Sequence, residues 1–232
     1  MLTRRAFTAS AVAFGLSACA KPAPVPATRA VAPPPAYPPM PVFYDAISDE
    51  PFPVPAIAPG SLPAQHWRQT VANPWPDQPR GTIIVDPDAG NLHFVQSRDT
   101  ALRYGVSVGA EGFAWSGTAR LQFCRKWPRW NVPDSMIARQ PSLEPYSVAN
   151  GGMDPGPDNP MGARALYLFQ NGVDTLYRVH GGAVARDIGR AVSSGCIRLL
   201  DQDVIDLHER AVHGARVVVL PSLIPAGLSA LF

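Results

Sequence analysis

His180-Gly181-Gly182, then thirteen residues, then Ser193-Ser194-Gly195-Cys196-Ile197-Arg198: the rest of the chain is read from this stretch outward. A histidine and a cysteine stand sixteen positions apart, and the cysteine lies in a small-residue turn followed by an arginine. A thiol with a pKa of about 8.5 is a poor nucleophile until a histidine or backbone dipoles stabilise its thiolate. Gly195 lets the backbone bend so that successive N–H groups can converge on a substrate oxygen. Arg198 supplies a fixed charge suited to a carboxylate, or to a structural ion pair.

The neighbouring segments alternate short apolar runs with turn residues. Thr175–Val179 leads into His180 as a strand, paired through Gln170-Asn171-Gly172 with Ala165–Phe169. Asp201–Gly214 behind the cysteine reads as a helix, with Val204, Ile205, Leu207, Ala211 and Val212 on its apolar face. Asp201 is its expected N-cap and Gly214 its C′ residue. Arg216–Leu220 is a last strand, stopped by Pro221. Upstream, Gly81–Val85 and Asn91–Val95 flank the turn Asp86-Pro87-Asp88-Ala89-Gly90 and form a hairpin. Leu102–Val108 and Thr118–Arg125 are further strands around a glycine-rich loop from Gly109 to Gly117, and Trp127–Pro133 holds too much proline for regular structure. Many short strands and one helix in the C-terminal half predict a mainly β domain.

The residues His180-Gly181, Ser193 and Gly195-Cys196-Ile197-Arg198, with Asn159-Pro160-Met161-Gly162 upstream, resemble the L,D-transpeptidase catalytic domain (the YkuD family) of bacterial cell-wall enzymes. The resemblance covers roughly residues 80–221. It implies a sandwich-like or barrel-like β structure with Cys196 at the start of the helical segment. By position, Cys196 is the nucleophile and His180 the base, with the Gly181 carbonyl orienting the imidazole. The amides of Gly195 and Cys196 form the oxyanion hole, and Ser193 stands where the family has Ser or Thr. Arg198, Ser194, Met161 and Gly162 are expected around the substrate, and Tyr167 in the core. Many members carry His where Ser194 stands, so a second-histidine role has no counterpart here.

The implied reaction is acylation of Cys196 by the third residue of a peptidoglycan stem, with release of terminal D-alanine. An amine acceptor then resolves the thioester: a second stem gives a 3→3 cross-link, and a lysine on an outer-membrane lipoprotein gives a protein anchor. Water as acceptor would make the enzyme a carboxypeptidase, and relatives of the domain also cut existing wall linkages. A non-catalytic wall-binding lipoprotein is the alternative from another class, and it predicts a buried, unreactive Cys196. Acceptor specificity is expected in residues 109–117 and 127–160.

The N-terminus reads as an export signal over residues 1–18. Thr3-Arg4-Arg5-Ala6-Phe7 is a twin-arginine pattern, although two arginines also serve a plain charged leader. The apolar run Ala9–Ala18 is too short to remain as a membrane span. Leu16-Ser17-Ala18-Cys19 resembles the bacterial lipoprotein cleavage box, with Cys19 the lipidated residue. No aspartate follows Cys19, so a periplasmic protein anchored in the outer membrane is expected. Residues 19–66 are read as an exposed, extended tether, because residues 21–66 hold 14 of the 27 prolines, with Phe43, Tyr44 and Phe52 the parts expected to pack back. The catalytic domain is placed at 67–223 and a tail at 224–232.

The 232 residues carry a net charge of +2, and 16% are charged. Both charges of the first eighteen residues are arginines, so the remainder is balanced, which argues against a nucleic-acid partner. Of the other cysteines, Cys124 is expected as a small buried residue, with no disulfide to Cys196. The remaining histidines (His66, His93, His208 and His213) show no Cys/His metal spacing, so neither a metal nor a cofactor is expected.

Overall fold

A computed structural model describes residues 39–109, 115–193 and 195–223. The leader, Cys19, the first part of the proline-rich stretch, Ser194, residues 110–114 and the tail 224–232 lie outside the described residues.

The β-branched and aromatic runs form eleven strands among the described residues. These are β1 (Gln69–Ala72), β2 (Ile83–Asp86), β3 (Asn91–Val95), β4 (Thr100–Gly105), β5 (Val108–Gly109) and β6 (Gly117–Lys126). After the short helix α1 (Asp134–Arg139) come β7 (Arg164–Gln170), β8 (Val173–His180), β9 (Ala191–Ser193) and β10 (Ile197–Arg198). Helix α2 (Asp201–Arg210) and β11 (Arg216–Val219) complete the chain. Nine strands form one sheet in the order β1-β4-β3-β2-β11-β6-β7-β8-β10. Most neighbours are antiparallel; β2–β11 and β8–β10 are parallel. The fold is mainly β, as the sequence predicts.

The sheet curls until the chain just past β4 reaches β10, at the far edge. Val106 donates its N–H to Gly90 O (2.9 Å), and Ser107 then exchanges both backbone bonds with Arg198 (2.9 and 2.8 Å). The expected single strand Leu102–Val108 therefore breaks after Gly105: its chain leaves the β3 ladder for β10 and pairs onward as β5 with β9. This junction closes one hydrophobic core, in which Ile83, Leu92, Tyr104, Leu121, Leu166, Val179 and Val217 are fully buried.

Helix α2 differs from expectation at both ends. Leu200, not Asp201, occupies the N-cap, without a side-chain cap. The helix stops at Arg210 rather than near Gly214, leaving Val212 64% exposed. Gly214 takes a φ of +78° in the following turn, where its N–H donates to Leu121 O at 2.8 Å. The glycine thus docks the turn on β6 instead of terminating the helix. Val204 and Leu207 are buried as read.

The proline-rich segment requires the larger correction. Residues 39–66 are not an exposed tether but a strap laid across the domain. Tyr44, Val54 and Leu62 are buried. Tyr44 and Leu62 cluster with Ile188 and Leu200, and Val54 with Trp127 and Ala163. Tyr44 donates its hydroxyl proton to Asp203 (3.1 Å) and accepts the Arg68 N–H (2.8 Å). Glu50 forms an ion pair with the buried Arg164 and accepts the Trp127 indole N–H at 2.8 Å. Phe52 meets Trp127 edge-on at 4.9 Å. Prolines make the chain extended; the apolar residues between them decide that it lies on protein rather than in water. The aromatic residues expected to pack back do so, and they take the remainder of 39–66 with them. The compact unit therefore reaches back past residue 67 and includes the described strap residues.

Candidate active site

The site is assembled by the parallel pair β8–β10, in which Val179 stands opposite Ile197 and His180 opposite Arg198. Carrying that register back one residue sets Cys196 beside Arg178. Side chains two apart on a strand share a face, so Arg178 and His180 project to the same side as Arg198, the register partner of His180, and Cys196 precedes that strand by one residue. Gly195 is buried and has a φ of +128°, a conformation that L side chains rarely adopt. Past the cysteine, Leu199 donates its N–H to His180 O (2.8 Å), and Ala183 donates to Leu199 O (3.1 Å). The histidine and cysteine segments are thereby fixed to each other through main chain.

His180 is 2% exposed. Burial, and then the Arg198 charge, push its imidazole down to about 3, while the nearby backbone of Gly181 and Met161 acts in the opposite direction. The ring is neutral at pH 7 and can accept a proton. The backbone of Gly181 and of Met161 lies close enough to the ring to favour its protonated form, although Nδ1 makes no hydrogen bond of full geometry among the described residues. Gly181 donates its own N–H to Arg164 O at 3.0 Å. Cys196 is partly exposed, and neither it nor Cys124 is in a disulfide. Burial pushes the Cys124 thiol up, as suits an inert strand residue.

The Asn159-Pro160-Met161-Gly162 segment is locked against His180-Gly181-Gly182 by a carboxylate that the sequence does not single out for this role. Asp201 Oδ1 accepts the N–H groups of Ala163 (2.8 Å) and Gly182 (3.1 Å). A Cβ at Gly162 or Gly181 would collide with that same oxygen. Burial raises the Asp201 carboxyl, and the two N–H groups counter it. An aspartate at a helix start reads as a cap; its actual partners are long-range, which no local pattern reveals. Asn159 fixes the other side, donating to Pro128 O (3.1 Å) and accepting from Met161 N (2.9 Å).

Met161, Gly195 and Cys196 line a cavity of 470 Å³. Tyr167, Tyr177 and Arg178 form its sheet side, and residues between Arg129 and Val148, including α1, form its roof. Part of the expected specificity segment 127–160 thus borders the cavity. Trp115, just after the undescribed part of the glycine-rich loop, stacks on Tyr177 at 4.9 Å. Tyr167, expected in the core, faces the cavity instead. Arg198 and Gly162 are not among the lining residues: Arg198 adjoins His180, and Gly162 packs on the Gly182 backbone and Asp201. Ser193 ends β9, and Ser194 lies outside the described residues.

Comparison with known proteins shows which family the chain is similar to. Residues 80–219 match the family model described as the L,D-transpeptidase catalytic domain. The chain is 42% identical over 149 residues to the Salmonella typhimurium protein named probable L,D-transpeptidase ErfK/SrfK, covering 62% of this chain and 46% of that one. It is 29% identical over 142 residues to the Escherichia coli protein named probable L,D-transpeptidase YbiS, covering 59% and 43%. The chain therefore spans less than half the length of these curated relatives. Among solved structures, an L,D-transpeptidase from Mycobacterium smegmatis aligns at 16% identity with a TM-score of 0.40, over 61% of this chain and 58% of that one.

Proposed function

Since the chain belongs to the L,D-transpeptidase catalytic-domain family, we propose that it is a cysteine-dependent enzyme that acylates itself on the third residue of a peptidoglycan stem. The carrying observation is a cavity-lining Cys196 directly before β10, which pairs in parallel with the strand that ends in the buried His180. His180 takes the thiol proton as Sγ attacks the stem carbonyl. The developing oxyanion is held by the amides of Gly195 and Cys196, a role supported by the glycine-only backbone at 195. The C–N bond breaks, His180 protonates the departing D-alanine amine, and a thioester remains on Cys196. An amine acceptor attacks the thioester and gives its proton to His180; the C–S bond breaks as the new amide forms, and His180 returns the proton to Sγ, restoring the thiol. We further propose that residues 1–18 direct export and that Cys19 carries the lipid that holds the enzyme at the periplasmic face of the outer membrane.

The test is incubation of the chain from Ala20 onward with disaccharide tetrapeptide, read by mass spectrometry beside Cys196→Ala and His180→Ala. A dimer lacking one D-alanine, absent with Cys196→Ala and reduced about 10²- to 10⁴-fold with His180→Ala, is the expected result. Tripeptide monomer alone would make water the acceptor. No product together with no carbapenem adduct at Cys196 would overturn the enzyme reading in favour of a wall-binding module.

A further inference from the structure

A row of side chains crosses four neighbouring strand segments and ends at the nucleophile. Phe123 of β6 stands opposite Tyr167 of β7, and Tyr167 opposite Arg178 of β8. The β8–β10 register places Cys196 next in the row. The rings of Phe123 and Tyr167 stack at 4.4 Å, and the Arg178 guanidinium lies 4.4 Å from the Tyr167 ring centre. Arg178 is held on its remaining sides as well. It donates to both oxygens of Asp174 (2.7 and 2.8 Å) and to its neighbour's carbonyl, Tyr177 O (2.9 Å). A guanidinium carries five N–H donors. Three are used among the described residues, which leaves two on a group that lines the cavity with Cys196.

Resting on the transpeptidase reading, we propose that Arg178 reads the free terminal carboxylate of the acyl donor, and so restricts the enzyme to removing a C-terminal residue. Among the described residues the cavity is lined by Arg129, Arg139 and Arg178 and by no carboxylate; Asp154 and Asp174 pair with Arg129 and Arg178 from outside the lining. An anionic donor is therefore favoured. The distance selects which carboxylate. The terminal carboxylate lies one residue beyond the attacked carbonyl, a step of about 3.8 Å. Adjacent strands are spaced about 4.8 Å apart, so a donor carbonyl at Cys196 brings that carboxylate over Arg178. The third stem residue, diaminopimelate in the substrate that the family resemblance implies, also carries a side-chain carboxylate, but several bonds further away on a flexible stem. Because Asp174 and Tyr167 hold the guanidinium in place before substrate arrives, little rotamer freedom is lost on binding.

The test uses three disaccharide-tetrapeptide donors: the free acid, the C-terminal carboxamide, and a donor amidated at the third residue's side-chain carboxylate. Wild-type kcat/KM is expected to fall about 10- to 100-fold on the C-terminal amide, the range for a lost charged hydrogen bond, and to change little on the side-chain amide. Arg178→Gln should lose the same factor on the free acid, chiefly in KM, yet match wild type on the C-terminal amide. Arg178→Lys, which keeps the charge without the fork, should fall between. Equal wild-type use of acid and C-terminal amide would overturn the inference. So would an equal loss on both donors in Arg178→Gln, which marks a structural role. A penalty confined to the side-chain amide would assign the arginine to the other carboxylate and overturn it too. Wild type inert to all three donors while iodoacetamide still alkylates Cys196 would instead fail the transpeptidase reading, and the inference with it.

Discussion

Asp203 has no solvent exposure, and burial pushes its carboxyl up to about 7 against the opposing pull of Arg68 and the Tyr44 hydroxyl, with the Asp206 charge adding to the rise. An unfolded aspartate titrates at about 3.9. Between those values the native state holds a proton that the unfolded state has released, so stability falls as pH rises through this window. Asp203→Asn should flatten that slope: its urea midpoint, relative to wild type, should improve from pH 5 to pH 8. A constant offset across this range would show that Asp203 is ionised throughout. Asp201, two residues earlier, shows what single positions conceal. Cys196 and His180 are legible because their chemistry is tied to residue type and close spacing. The work of Asp201 depends on backbone groups at 163 and 182, which only the fold brings together.

Among elements, the strands are the most legible. Ile83-Ile84-Val85 is fully or nearly fully buried in a β-branched run, and the turn that follows is closed by Asp86 accepting the Ala89 N–H at 3.1 Å. The strap is the least legible, because extended proline-rich chain has the same composition on a surface as in solvent. Its seating is decided by a few partners, of which Glu50 is the most consequential. Arg164 is 2% exposed, and Glu50 is the carboxylate paired with it. Removing one member of a buried pair strands the other charge at about 3–5 kcal/mol. Glu50→Ala should lower unfolding stability on that scale, whereas Glu50→Asp should recover part of it. Chemical denaturation of both variants is the check; no loss in Glu50→Ala would mean that water reaches Arg164.

For the whole molecule, the strap makes residues 39–66 part of the folding unit. A chain beginning at Trp67 would expose Ile188, Leu200, Trp127 and Ala163, which now pack under Tyr44, Leu62 and Val54. We expect the 67–232 chain to melt at a lower temperature and with less cooperativity than the 39–232 chain, as read by calorimetry. Identical melting would return residues 39–66 to the status of a tether. The cavity roof belongs to the same scale and was only partly legible, since its proline-rich sequence marks irregular chain without indicating what that chain covers. Its attachment is simple, however. Lys126 and Arg164 are register partners on β6 and β7, so everything from 127 to 163 leaves and re-enters the sheet at one rung. Both ends of that stretch are anchored, Trp127 and Ala163 under the strap and Gly162 against the histidine segment. But Trp130 and Met153 exchange backbone bonds inside it, so the part between them can change in length and lining, and with it what the cavity admits, while the anchored ends and the thiol stay where they are.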